Sequence, residues 1–94
     1  MNEKKITSIE QFPETFLDIG AEAAKTMEPS YRYRYRVNIA YTTDDGSIYT
    51  SRITSKTRKG IPEEFTRLSE KISNGRCAAL LHDDGSFWGT RVTY

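Results

Sequence analysis

From Tyr31 the chain reads YRYRYRVNIAY, an alternation that holds for eleven positions. A period of two is the period of an extended strand. Tyr31, Tyr33, Tyr35, Val37, Ile39 and Tyr41 therefore share one side, and Arg32, Arg34, Arg36, Asn38, Ala40 and Thr42 share the other. Arginine is seldom buried without a partner, so the Tyr/Val/Ile side turns to the core and the arginines face outward. The tyrosines are read mainly as packing residues whose hydroxyls seek the rim.

The strand runs into DDG at Asp44–Gly46 and returns as SIYTSRIT. A two-residue Asp45-Gly46 turn would place Tyr49 and Ile53 among the arginines. A three-residue Asp44-Asp45-Gly46 loop with a left-handed Gly46 pairs Tyr41 with Tyr49 and Val37 with Ile53, which keeps one face apolar throughout. The longer loop is expected. It sets Arg36 opposite Thr54, Arg34 opposite Lys56 and Asn38 opposite Arg52.

A second segment repeats this chemistry. DDGSIYTSRIT at Asp44–Thr54 aligns without gaps with DDGSFWGTRVT at Asp83–Thr93. With the same loop, Leu80, Trp88, Thr90 and Val92 share one face, while Leu81, Phe87, Gly89 and Arg91 share the other. Trp88 aligns with Tyr49 and is read as core, which leaves Phe87 on the open face as a candidate stacking aromatic or hot spot. A hairpin apolar on both sides also offers a surface for homodimerisation.

Two helices are expected around these hairpins. Phe12, Phe16, Ile19, Ala23 and Met27 follow helical spacing, so a helix is predicted from about Pro13 to Met27 and ended by Glu28-Pro29-Ser30. Ile61, Phe65, Leu68 and Ile72 form a second stripe over Pro62 to about Asn74, with Gly75 at the expected stop. The order αββαββ then gives an α+β fold of two helix–hairpin halves. Its four-stranded antiparallel sheet carries both helices on one face and leaves a basic face open. Ninety-four residues suit a single domain, 1–94.

Charge is distributed unevenly. The net value is +1, but residues 31–59 hold seven Lys and Arg against two Asp. On the expected sheet Arg32, Arg34, Arg36, Arg52 and Lys56 stand together, with Arg58 and Lys59 trailing from the strand end. A solvated face usually mixes signs, because like charges across strands repel. A single-sign field attracts polyanions, and open sheet faces serve RNA-recognition modules.

Sites of bond-making chemistry are not expected. Cys77 and His82 lie five residues apart on one strand and point to opposite faces, which separates the only thiol from the only imidazole. The Asp pairs are accounted for by turn chemistry, and no phosphate loop, calcium loop or zinc pattern occurs. No cofactor and no metal are expected. The longest aliphatic run, CAALL, is far too short to span a bilayer, and the start has no secretory pattern, so a soluble cytoplasmic protein is expected.

These readings converge on a non-enzymatic binding protein that engages nucleic acid or a nucleoprotein complex through its arginine-rich sheet face. The alternative is a small inhibitor or adaptor of the phage anti-defence, antitoxin or immunity kind, gripping an acidic protein partner with the same cations.

Overall fold

A computed structural model describes residues 2–27 and 33–93. Its elements are β1 (Asn2–Asp18), α1 (Ala21–Thr26), β2 (Tyr35–Thr43), β3 (Ile48–Ser55), α2 (Gly60–Ser73), β4 (Cys77–Leu81) and β5 (Phe87–Val92). The five strands form one antiparallel sheet in the order β3-β2-β1-β4-β5. The sheet curls into a half-barrel, and its two edges approach where the Phe87 ring stacks on Tyr49 at 5.7 Å.

The expected four-stranded sheet with two covering helices is therefore overturned. The segment predicted as the first helix divides: residues 13–18 end strand β1, and only the six-residue α1 is helical. Bulges produce the misleading spacing. Ile6 opposes Thr43 and Ser8 opposes Thr42, so one extra residue, Thr7, sits in β1 and returns Ile9 to the same face as Ile6. The i, i+3 interval of a helix arises here inside a strand. A second irregularity places residues 13–16 opposite Val37 alone, between the pairs Phe12–Asn38 and Leu17–Arg36. Pro13 lacks an N–H and is tolerated at such a bulge. Thr15 repairs the ladder: its Oγ1 accepts from the Asn38 N–H at 2.8 Å and donates to the Phe12 carbonyl at 2.6 Å.

β1 joins the two hairpins. Residues 2–5 pair with β4, and the rest of the strand pairs with β2. The concave side holds the core: Ile6, Val37, Ile39, Tyr41, Ile53, Cys77, Ala79 and Leu81. α2 lies against them through Ile61, Leu68 and Ile72, the stripe that its sequence predicts. α1 buries none of its residues.

Both hairpins have the expected three-residue loop. In the first, the Thr43 N–H donates to the Ser47 carbonyl (2.9 Å) and Gly46 N–H to the Thr43 carbonyl (3.0 Å). In the second, His82 and Ser86, then Gly85 and His82, make the same two bonds at 2.8 and 2.9 Å. Gly46 (φ 84°) and Gly85 (φ 88°) take the left-handed conformation that other residues resist. The register of β2 on β3 matches the reading above at Tyr41–Tyr49, Val37–Ile53, Asn38–Arg52 and Arg36–Thr54.

The second hairpin departs after its turn. Leu81 opposes Phe87, but Leu80 opposes Gly89, so Trp88 is the extra residue of a bulge. Phe87 packs inward against Tyr41 and Tyr49, whereas Trp88 is 46% exposed. The expected placement of these two rings is reversed. Leu81, Ala79 and Cys77 need the concave face, and this forces the aromatic nearest the turn inward.

Packing sets the energetic contrast between the faces. Truncating Ile39, 1% exposed, to alanine should cost about 2–5 kcal/mol. Ile48→Ala, at a position 67% exposed, should stay within about 0.5 kcal/mol. Urea midpoints measured at constant slope check both.

Candidate functional site

Among the described residues no helix is packed on the convex side of β1, β2 and β3: α2 lies on the concave core and α1 buries none of its residues. Its register sets four rows across the three strands: Leu17–Arg36–Thr54, Phe12–Asn38–Arg52, Glu10–Ala40–Thr50 and Ser8–Thr42–Ile48. Asn38, Thr50, Arg52 and Thr54 are exposed, and Arg36 is partly so. Arg36 and Arg52 are diagonal neighbours on adjacent strands, within reach of a common ligand. Neither makes an ion pair among the described residues.

Phe12 enters this face from β1, a position that helical spacing had assigned to the core stripe. It is partly exposed and stands outside the set of rings packed against the core. Phe12, Asn38, Thr50 and Arg52 line a depression of about 480 Å³ together with Ile39, Ser51 and Phe87, so it reaches past the convex row. An aromatic ring thus stands in line with an amide and a guanidinium. The signal that could have found it is Pro13, which argues against a regular helix through residue 12 less strongly than it argues for a bulge in a strand.

The other cations predicted for the site are dispersed. Arg34 is bound bidentately by Asp18, with Nε to Oδ1 at 2.8 Å and Nη2 to Oδ2 at 3.1 Å. Those bonds hold the Asp18 carboxyl below its ordinary range, helped by the Gly20 N–H, and raise the Arg34 guanidinium in turn. Arg58 lies over the Phe16 ring at 4.9 Å and the Tyr35 ring at 5.3 Å, capping the end of the core. Lys59 faces Glu63 across 3.7 Å on the solvent side of α2. Lys56 is exposed beyond the end of β3. Arg32 lies outside the described residues. The hairpin bears no acid on its outer side, but β1 contributes Asp18 and Glu10 beside it, so the sheet as a whole is not free of carboxylates.

Phe87, the expected stacking residue, is partly buried against Tyr41 and Tyr49 and also borders the depression beside Phe12 and Arg52. Cys77 is a core residue whose thiol is pushed up by burial. His82 stands at the second turn with its ring 6.1 Å from Trp88. Among the described residues no group of three or more His, Cys, Asp or Glu could hold a metal ion, and no helix is long and apolar enough to cross a membrane.

The chain matches no protein-family model, no curated protein and no solved structure.

The Asp18–Arg34 pair has a defined pH signature. Because the folded-state pKa of Asp18 is depressed, its stabilising contribution is present above the unfolded value of about 3.9 and is lost as pH falls through the folded value. Asp18→Asn should flatten the acid limb of stability only slightly, as befits an exposed pair, and release the Arg34 charge to the surface. Thermal melts between pH 2 and 7 on both proteins check the first effect.

Proposed function

We propose that the protein is a non-enzymatic module that binds nucleic acid on the convex face of β1–β3. One observation carries the reading: among the described residues, Arg36 and Arg52 are diagonal neighbours on a sheet face that no helix covers, with no carboxylate bound to either. Two desolvated guanidiniums without partners would be costly, but at a wet surface they are ready for phosphate, which each can bind bidentately. Lys56 extends the cationic strip past the strand end, and Arg58 stands beyond it. Arg34 contributes less, since Asp18 already takes its donors.

The residues that hold the ligand would be Arg36, Arg52 and Lys56 for phosphate, with Asn38 available as donor and acceptor between them. Positioning is done by the β2–β3 ladder and, through Thr15, by β1. Attraction is long-ranged and largely independent of sequence.

A second reading rests on Trp88. A tryptophan that is 46% exposed at a bulge, beside a turn bearing Asp83 and Asp84, has the character of a protein-binding anchor. It would serve the inhibitor or adaptor role, with the convex arginines reaching an acidic partner. Nucleic-acid copurification, seen as excess absorbance at 260 nm that nuclease removes, favours the first reading over this one.

Three phosphate contacts at about −0.7 each give a log–log salt slope of about −2 for a single strand. Arg36→Glu with Arg52→Glu should weaken binding at least about tenfold, because each reversal turns an attraction into a repulsion. Trp88→Ala should leave oligonucleotide affinity unchanged. Fluorescence anisotropy across a salt series measures all three, and a flat salt response contradicts the proposal.

A further inference from the structure

We infer that the convex face takes unpaired bases, so that its ligand is single-stranded nucleic acid rather than duplex; this rests on the nucleic-acid reading above and narrows it. The deciding group is Phe12. An aromatic ring on a solvated sheet face adds nothing to phosphate attraction, and packing does not require it there, since it stands outside the rings that support the core. What it offers is a flat apolar surface beside the cations. Base–aromatic stacking uses such a surface without regard to base identity.

The row geometry suits one chain. Phe12, Asn38 and Arg52 stand on three adjacent strands, so the backbones of Phe12 and Arg52 are separated by two strand spacings, about 10 Å. A base can lie on Phe12 while its amide and carbonyl groups meet Asn38, and the backbone beside it reaches Arg52 or, one row away, Arg36. The depression of about 480 Å³ that Phe12, Asn38 and Arg52 help to line gives that base room. A duplex keeps its bases stacked on one another and hides those flat faces. Reading its groove requires an inserted helix or ribbon. α2 is committed to the concave core through Ile61, Leu68 and Ile72, and α1 is only six residues long. The face can meet a duplex only at its phosphates, whereas a single strand satisfies the cations and the ring together.

Four labelled probes of equal length test this by anisotropy at one fixed salt concentration: a dT 20-mer, an rU 20-mer, a 20-mer carrying abasic sugars throughout, and a 20-base-pair duplex. Expected is tighter binding of either base-bearing single strand than of the abasic strand, by about 5- to 150-fold for one stacked base. Comparing dT with rU shows which sugar the site prefers. Phe12→Ala should bring the base-bearing strands down to the abasic level while leaving abasic and duplex binding within about twofold, and Phe12→Tyr should retain the preference. Circular dichroism establishes that each variant is folded; the abasic comparison on the unmodified protein needs no variant at all. If the abasic strand binds as tightly as dT and rU, the stacking inference is overturned while the phosphate-binding reading stands. If none of the four probes binds, both fall together.

Discussion

The hydrogen-bonded placement of β1 governs everything else in this molecule. Its first residues pair with β4 and its later ones with β2, so a single strand fuses two hairpins that would otherwise be marginal alone. The resulting five-stranded sheet is wide enough to curl, and the curl creates a concavity that α2 fills. The two faces are thereby given different duties. Ile6, Val37, Ile39, Tyr41 and Ile53 are consumed by packing on the inside, and Asn38, Thr50, Arg52 and Thr54 on the outside stay exposed. The bulges in β1 decide which residues fall on which side. Without the extra residue at Thr7, Ile9 would point to solvent, and without the irregularity at 13–16, Phe16 could not reach its place against Tyr35, where the ring centroids are 6.0 Å apart.

Electrostatics on the convex face follow from the same insertion. Taken alone, the β2–β3 hairpin is a one-sign surface. β1 brings Asp18 against Arg34 and Glu10 into the row of Ala40 and Thr50, which narrows the cationic region to Arg36, Arg52 and the residues beyond β3. The exposed Asp18–Arg34 pair contributes little to stability. Its larger effect is to hold Arg34 in a fixed place and lower the local field. Focusing charge into a small area beside an aromatic ring suits a ligand that carries both phosphate and a flat base.

How much of this was legible from sequence depends on range. Local patterns were sufficient for the first hairpin, because the period-two alternation, the Asp-Asp-Gly turn and the need for one apolar face admit only one consistent register. They were also sufficient for α2, whose stripe is uninterrupted. Residues 13–18 look helical because the irregularity in β1 mimics the three- and four-residue intervals of a helix, and a strand whose partners lie far along the chain announces itself only weakly. The twin turns were correctly seen as alike, yet the bulge at Trp88 comes from the packing demands of Leu81 and Ala79, which no local pattern encodes. The same limits explain the site. Arg36 and Arg52 were found by alternation, Arg34 lost its freedom to an acid sixteen residues away, and Phe12 came into view only once β1 was in the sheet.

Amide and side-chain chemical-shift mapping, with an unlabelled dT oligonucleotide added to isotope-labelled protein, tests the convex-face interface most directly. Shifts concentrated at Phe12, Arg36, Asn38 and Arg52, with little change at Ile61, Leu68, Ile72 or the Trp88 turn, are the predicted result. Shifts confined to the second hairpin or to α2, or none at all under low salt, would contradict it.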